Sequence, residues 1–155
     1  AVTLTQLSGL ALLFAVDNPA TWYGYEMLFR QWRDHPERVE TLRERLRLVA
    51  AMLPQSGWEE RLELMREHAQ EKFEEYLYDD EEGVDHDAFN PSSQDQDAPH
   101  APIPIFFSSD LVALDPARNR DWIDLDVIQS AYTQFLDRVG HSLPLLLPLH
   151  PTESS

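Results

Sequence analysis

The chain contains no cysteine. It therefore has no disulfide framework, no thiolate metal site and no cysteine nucleophile. Bases are scarce: 12 Lys plus Arg stand against 28 Asp plus Glu, a formal net charge of -16. Phosphate recognition needs clustered Lys and Arg, so nucleic acid is not an expected partner. An anionic membrane surface is excluded on the same ground. Only five residues are glycine, and no Walker A, G-x-G-x-x-G or G-x-S-x-G pattern occurs, which removes the usual phosphate-cradling loops and the nucleophile elbow. The six His are scattered, with no H-E-x-x-H, so a zinc site is not expected. The longest apolar run, 4–16, ends at Asp17-Asn18-Pro19. It is shorter than the roughly 20 residues a bilayer requires. No Lys or Arg precedes Arg30, so the basic leader of a secretory signal is lacking and a cytoplasmic location is expected.

What is present is a full set of apolar residues, 43% of the chain, with four Trp, five Tyr and seven Phe. That suffices for one folded domain spanning 1–155. Residues 3–16 are apolar nearly all round and carry Leu7, Leu10, Ala11 and Phe14 at helical spacing, which predicts a central helix. Asn18-Pro19 is a helix start, with a capping Asn before Pro at the first helical position. A second helix follows to about residue 33, with Trp22, Tyr25, Phe29 and Trp32 on one face. Asp34 and Pro36 repeat the start signal. Steps of three and four through Val39, Leu42, Leu46, Val49 and Leu53 predict a third helix over 36–53. Ser56 and Glu59 form a capping-box pattern for a fourth helix, 57–78, packed antiparallel against the third. A fifth, ending at Val139 and capped by Gly140, is expected after Asp115-Pro116. The expected fold class is all-α: a bundle of about five helices. The segment 79–104 reads as a mobile acidic insert closed by a short extended piece at Ile103, Ile105, Phe106 and Phe107. The Pro- and Leu-rich tail 141–155 reads as extended, because its prolines oppose a helix.

Acidic residues are not evenly spread. Residues 79–97 hold eight acids and no base, half of the net excess. On the fourth helix, Trp58, Leu62, Met65, Ala69, Phe73 and Tyr76 share one face. Glu60, Glu63, Glu67, Glu71 and Glu74 form a ridge on the opposite face, with Arg61, Arg66 and Lys72 confined to the flanks. Like charges at these spacings cost a helix about 0.2–0.5 kcal/mol per pair. The pattern fits a docking face for a basic surface, against the simpler possibility of a solvated face that aids solubility. The acidic run Asp79, Asp80, Glu81, Glu82, Asp85 and Asp87 extends that negative surface. An EF-hand register that puts Gly83 at its sixth position would start at Tyr78, which is no ligand. A looser cation site at Asp79, Glu81, Asp85 and Asp87 is the other reading of the run. Within the aromatic set of the second helix, Tyr23 lies off the Trp22/Phe29 face and is the member expected at the surface.

Glu59-Glu60-Arg61-Leu62-Glu63 reads E-E-x-x-E. It resembles the first half of the metal motif of the all-helical MazG-like nucleotide pyrophosphohydrolases. The resemblance implies magnesium bound by Glu59, Glu60 and Glu63. The second half, E-x-x-D, has no match; Asp121-x-x-Asp124 is the nearest candidate, far downstream. Two function classes follow. The leading expectation is an acidic, non-enzymatic binding protein, without cofactor, that docks and neutralises or escorts a basic protein partner, in the manner of an inhibitor or immunity protein. Its binding residues would be the ridge, the acidic run and Tyr23. The alternatives are a small metal-dependent hydrolase using Glu59, Glu60 and Glu63, or a chaperone or adaptor for a secreted effector.

Overall fold

The computed structural model describes residues 3–7, 9–79, 88–112 and 125–146, with side chains described over 9–79, 88–112 and 125–142. The chain is mixed α/β, which overturns the all-helical expectation. It runs β1 (Thr3–Leu7), β2 (Leu10–Ala15), α1 (Pro19–Arg33), α2 (Pro36–Arg43), β3 (Leu46–Leu53), α3 (Trp58–Tyr76), β4 (Ile103–Phe106), α4 (Ser109–Val112) and α5 (Leu125–Leu146). The four strands form one sheet in the order β1-β2-β3-β4. β1 pairs antiparallel with β2, while β2, β3 and β4 run parallel.

The helix expected over 3–16 is a β-hairpin instead. Leu7 pairs with Leu10, and Gly9 turns the chain with φ +99, a conformation that glycine adopts without a Cβ clash. β2 then alternates faces. Ala11, Leu13 and Ala15 enter one core, with Tyr25, Phe29, Met65 and Phe73. Leu10 and Leu12 enter the other, with Val49, Ile103, Ile105 and Val139. A strand buried on both faces is apolar at every position, and such a run imitates a helix that is apolar all round.

The single helix expected over 36–53 is divided. α2 ends at Arg43 and β3 begins at Leu46. Leu46, Leu48 and Ala50 pack beneath α1 and α3, while Val49 packs on the α5 side. No antiparallel helical hairpin therefore exists between the third and fourth predicted helices. Strand β3 feeds α3, which crosses over to parallel strand β4, the connection that parallel pairing requires. Helices α1, α2 and α3 cover one face of the sheet and α5 the other, giving three layers.

Of the start signals, the first holds. Asn18 Oδ1 accepts from the Thr21 amide at 2.9 Å, ahead of Pro19. Asp34 instead closes α1, and His35 stands at the α2 N-cap without a side-chain bond. The Ser56/Glu59 capping box does not form; Gly57, at φ +67, occupies the α3 N-cap. At the other end of the chain Gly140 is not a cap, and α5 continues through Pro144 to Leu146. Residues 141–146 are thus helical, not an extended tail. The insert is also partly built in: Ala98, Pro99, His100, Ala101 and Pro102 are buried. The short extended piece is β4, as expected. Asp115-Pro116, Trp122, residues 80–87 and residues 147–155 lie outside the described residues.

Phe29 is the hub of the larger core. It is fully buried and meets Tyr25, Trp32, Phe73 and Tyr76. Phe29→Ala should lower the unfolding free energy by about 3–5 kcal/mol. Leu136→Ala, at a residue 61% exposed, should change it by no more than about 0.5 kcal/mol. Urea titrations of the two variants check both values, and equal losses would place the core elsewhere.

Candidate functional site

Helix α3 separates its chemistry by face. Met65, Ala69, Phe73 and Tyr76 are buried, and Trp58 and Leu62 are half-buried beside them. Glu60, Glu63, Glu67, Glu71 and Glu74 are all exposed, as the spacing predicts. Glu63 lies 3.8 Å from Arg66 Nε, and Glu74 accepts from Gln70 Nε2 at 2.6 Å. Of the flanking bases, Arg61 is exposed, while Arg66 and Lys72 are engaged within the molecule. Arg66 is buried and donates to Gln96 Oε1 at 2.9 Å. Lys72 stands 3.8 Å from Glu26 and 3.5 Å from Glu75. Burial pulls the Lys72 ammonium down, but Glu75 and Glu26 outweigh it and leave its pKa raised.

α1 and α3 lie side by side and run in the same direction. Asp17, just before α1, meets His68 at 3.1 Å; Glu26 meets Lys72, Phe29 meets Phe73, and Arg30 reaches Tyr76. Asp17 Oδ1 also accepts from Trp22 Nε1 at 2.6 Å. A groove of about 290 Å³ opens here, walled by Pro19, Trp22, His68 and Lys72. It lies at the carboxyl end of β2, the edge of a parallel sheet where ligands usually bind. His68 is about half exposed and faces an acid 51 positions away. Tyr23 is 65% exposed, in line with its off-face position.

A second groove, about 300 Å³, lies between α2 and the end of α3. Asp79 sits there, and it is not a free docking acid. Arg43 grips both its oxygens, at 2.7 and 2.9 Å, and the Phe89 amide donates to it at 2.7 Å. These contacts, with the Arg43 hydrogen bonds foremost, hold the Asp79 carboxyl below its ordinary pKa. The Asp79 amide in turn donates to the Phe89 carbonyl at 3.1 Å. The other members of the acidic run, Asp80, Glu81, Glu82, Asp85 and Asp87, lie outside the described residues.

Beyond Phe89 the chain returns to the core. Tyr78 and His100 meet at 2.6 Å through the phenol oxygen and Nδ1. Burial raises the Tyr78 pKa, so the phenol keeps its proton. Burial also lowers the His100 pKa, keeping the ring neutral. The pair is 22 residues apart, and neither this contact nor Arg43–Asp79 left a local signal in the sequence.

Glu59, Glu60 and Glu63 occupy the first turn and a half of α3 and are exposed, pointing to solvent rather than into a cleft. Their counterparts Asp121 and Asp124 lie outside the described residues. Among the described residues no group of three or more His, Asp or Glu is arranged to hold a metal ion. Nor, among them, is any helix long and apolar enough to cross a membrane. The chain matches no family model, no curated protein and no solved structure.

His100 makes the fold sensitive to acid. Its folded pKa lies below the unfolded value, near 6.5. Unfolded chains then bind the proton more readily than folded ones, so stability is complete above about pH 6.5 and falls as pH drops toward the folded pKa. Equilibrium urea unfolding between pH 7.5 and roughly 5 should show this decline. His100→Gln should flatten that part of the curve; an unchanged slope would mean that other groups carry it.

Proposed function

We propose that this protein is an acidic, non-enzymatic binding protein that docks a basic surface on a protein partner, of the inhibitor or immunity type. The observation that carries this reading is the solvent-facing ridge of Glu60, Glu63, Glu67, Glu71 and Glu74. Its four adjacent like-charge pairs cost the free helix roughly 1–2 kcal/mol in all. The last turn of α3 holds no base, so Glu74 and Glu75 also oppose the helix dipole, which favours cations there. Helix stability therefore does not account for the ridge. A cationic partner would relieve both penalties. Complementary charge would also speed its approach and exclude acidic competitors. Tyr23, exposed on the neighbouring helix, adds an aromatic contact of the kind that carries interface energy.

The test begins with a partner recovered from native lysate at low and at high salt. Replacing Glu63, Glu67 and Glu71 together by Lys should slow association with it by roughly tenfold or more at low ionic strength. Salt should slow the unmodified pair in the same way, since the screening length is about 8 Å at physiological ionic strength. The free variant should keep or gain stability, because repulsion along the ridge is relieved. An association rate indifferent to both charge reversal and salt would refute docking through the ridge and leave it a solubility feature.

A further inference from the structure

The shared face of α1 and α3 carries apolar as well as acidic chemistry. Because the two helices run in parallel, their exposed residues fall into lanes along a common axis. On α1, Tyr23 and Met27 stand one turn apart and are 65% and 51% exposed. On α3, Leu64 is 46% exposed and sits between the ridge residues Glu60 and Glu67 in the chain. Between the lanes runs a seam in which Lys72 pairs with Glu26 and Glu75, Arg30 with Glu26, and His68 with Asp17; Arg61 on α3 and Arg33 on α1 are exposed beside it. At the start of the seam the groove beside Pro19 and Trp22 provides a further apolar recess. Away from these two arginines, the face presents an apolar lane beside an acidic lane.

We infer that this face receives a basic amphipathic helix of the partner, whose apolar side covers Tyr23, Met27 and Leu64 while its Lys and Arg meet the glutamate ridge. The inference rests on the docking function proposed above and extends it by naming the class of segment bound. Charge complementarity selects the basic side: the ridge is acidic over its length and the chain carries a net charge of -16. Geometry selects a helix. Neighbouring packed helices lie about 8–10 Å apart, and a single helix is about 10–12 Å across with its side chains. One helix can therefore present apolar residues to one lane and cations to the other. The 19 residues of α3 give the lanes about 28 Å of length, room for roughly five turns. An extended basic segment would alternate its side chains between opposite faces and leave Tyr23 or the ridge uncovered. Methionine suits such a surface, since its flexible thioether adapts to partners of differing shape.

The test uses the full chain and two labelled synthetic peptides of about fourteen residues, near four helical turns, with equal numbers of lysines. One places leucines at helical spacing; in the other, glycine and serine replace the leucines. Fluorescence anisotropy at low ionic strength should show the amphipathic peptide binding about tenfold tighter, and circular dichroism should show it becoming helical as it binds. The double variant Tyr23→Ala, Met27→Ser should weaken the amphipathic peptide by about tenfold and leave the polar one unchanged. Leu136→Ser, on α5 across the sheet, should change neither. Replacing Glu63, Glu67 and Glu71 by Lys should weaken both. Equal affinity for the two peptides would overturn the amphipathic inference while leaving the acidic docking face intact. So would indifference of the amphipathic peptide to the Tyr23/Met27 change while charge reversal still acts. Indifference of both peptides to charge reversal would overturn the docking face and this inference with it. Amide shifts of the unmodified protein on adding the amphipathic peptide should concentrate at Tyr23, Met27 and the ridge; shifts confined to other surfaces would overturn the assignment without any variant.

Discussion

Strand β3 must be covered on both faces, and the rest of the described fold is arranged to do so. It lies between β2 and β4, with its edges taken by parallel neighbours. Leu46, Leu48 and Ala50 face the helices that cross over between strands; Val49 faces α5. A single helix cannot cover both sides of a sheet, so two helical layers are needed. Even Arg47, next to the most buried part of the strand, is drawn in. Its guanidinium donates to the Glu44 and Leu46 carbonyls at 2.9 and 2.6 Å, and burial lowers its pKa. Toward its end the strand loses regular register between Ala50 and Leu53, where Met52 takes φ +60.

α3 shows how one helix serves the core and the surface. Its apolar stripe closes the larger core against Phe29, while Arg66 reaches Gln96 and the ridge residue Glu63, and Lys72 reaches Glu26 and Glu75. Of the ridge glutamates, Glu63 alone has an ion pair among the described residues, with Arg66. Had Arg66 and Lys72 lain among the glutamates, the helix would read as an ordinary solvated surface with interspersed signs. With these two bases off the ridge, Glu60, Glu63, Glu67, Glu71 and Glu74 remain an exposed acidic row, and this asymmetry supports the docking function we propose.

The segment after α3 behaves as part of the scaffold at both of its described ends. Arg43 holds Asp79 and stacks over Phe89 at 5.1 Å. Further on, Leu48 donates its amide to the Pro99 carbonyl at 3.1 Å, so the chain before β4 already runs along β3. The Tyr78–His100 hydrogen bond ties this stretch to the end of α3. Over its described residues this segment is held by long-range contacts to Arg43, β3 and Tyr78 and by burial of Ala98, His100 and Ala101.

The sequence by itself determined α1, α3 and most of α5, because their apolar residues recur at helical spacing against a polar face. It also determined the exposed ridge and the exposed Tyr23, which follow from the same periodicity. It determined the short extended piece that is β4. The sheet was decided only by tertiary structure. Strands β2 and β3 are buried on both faces, with Arg47 the one charged residue in them, so alternation, the local signature of a strand, is erased. Leu, Ala, Arg and Met in β3 favour helix when local preference acts alone; pairing with β2 and β4 overrides it. Asp17–His68, Arg43–Asp79 and Tyr78–His100 join residues 51, 36 and 22 positions apart. Periodicity reports which face of a helix a residue occupies, and it carries no information about which distant residue lies opposite; that is decided when the helices and the sheet pack.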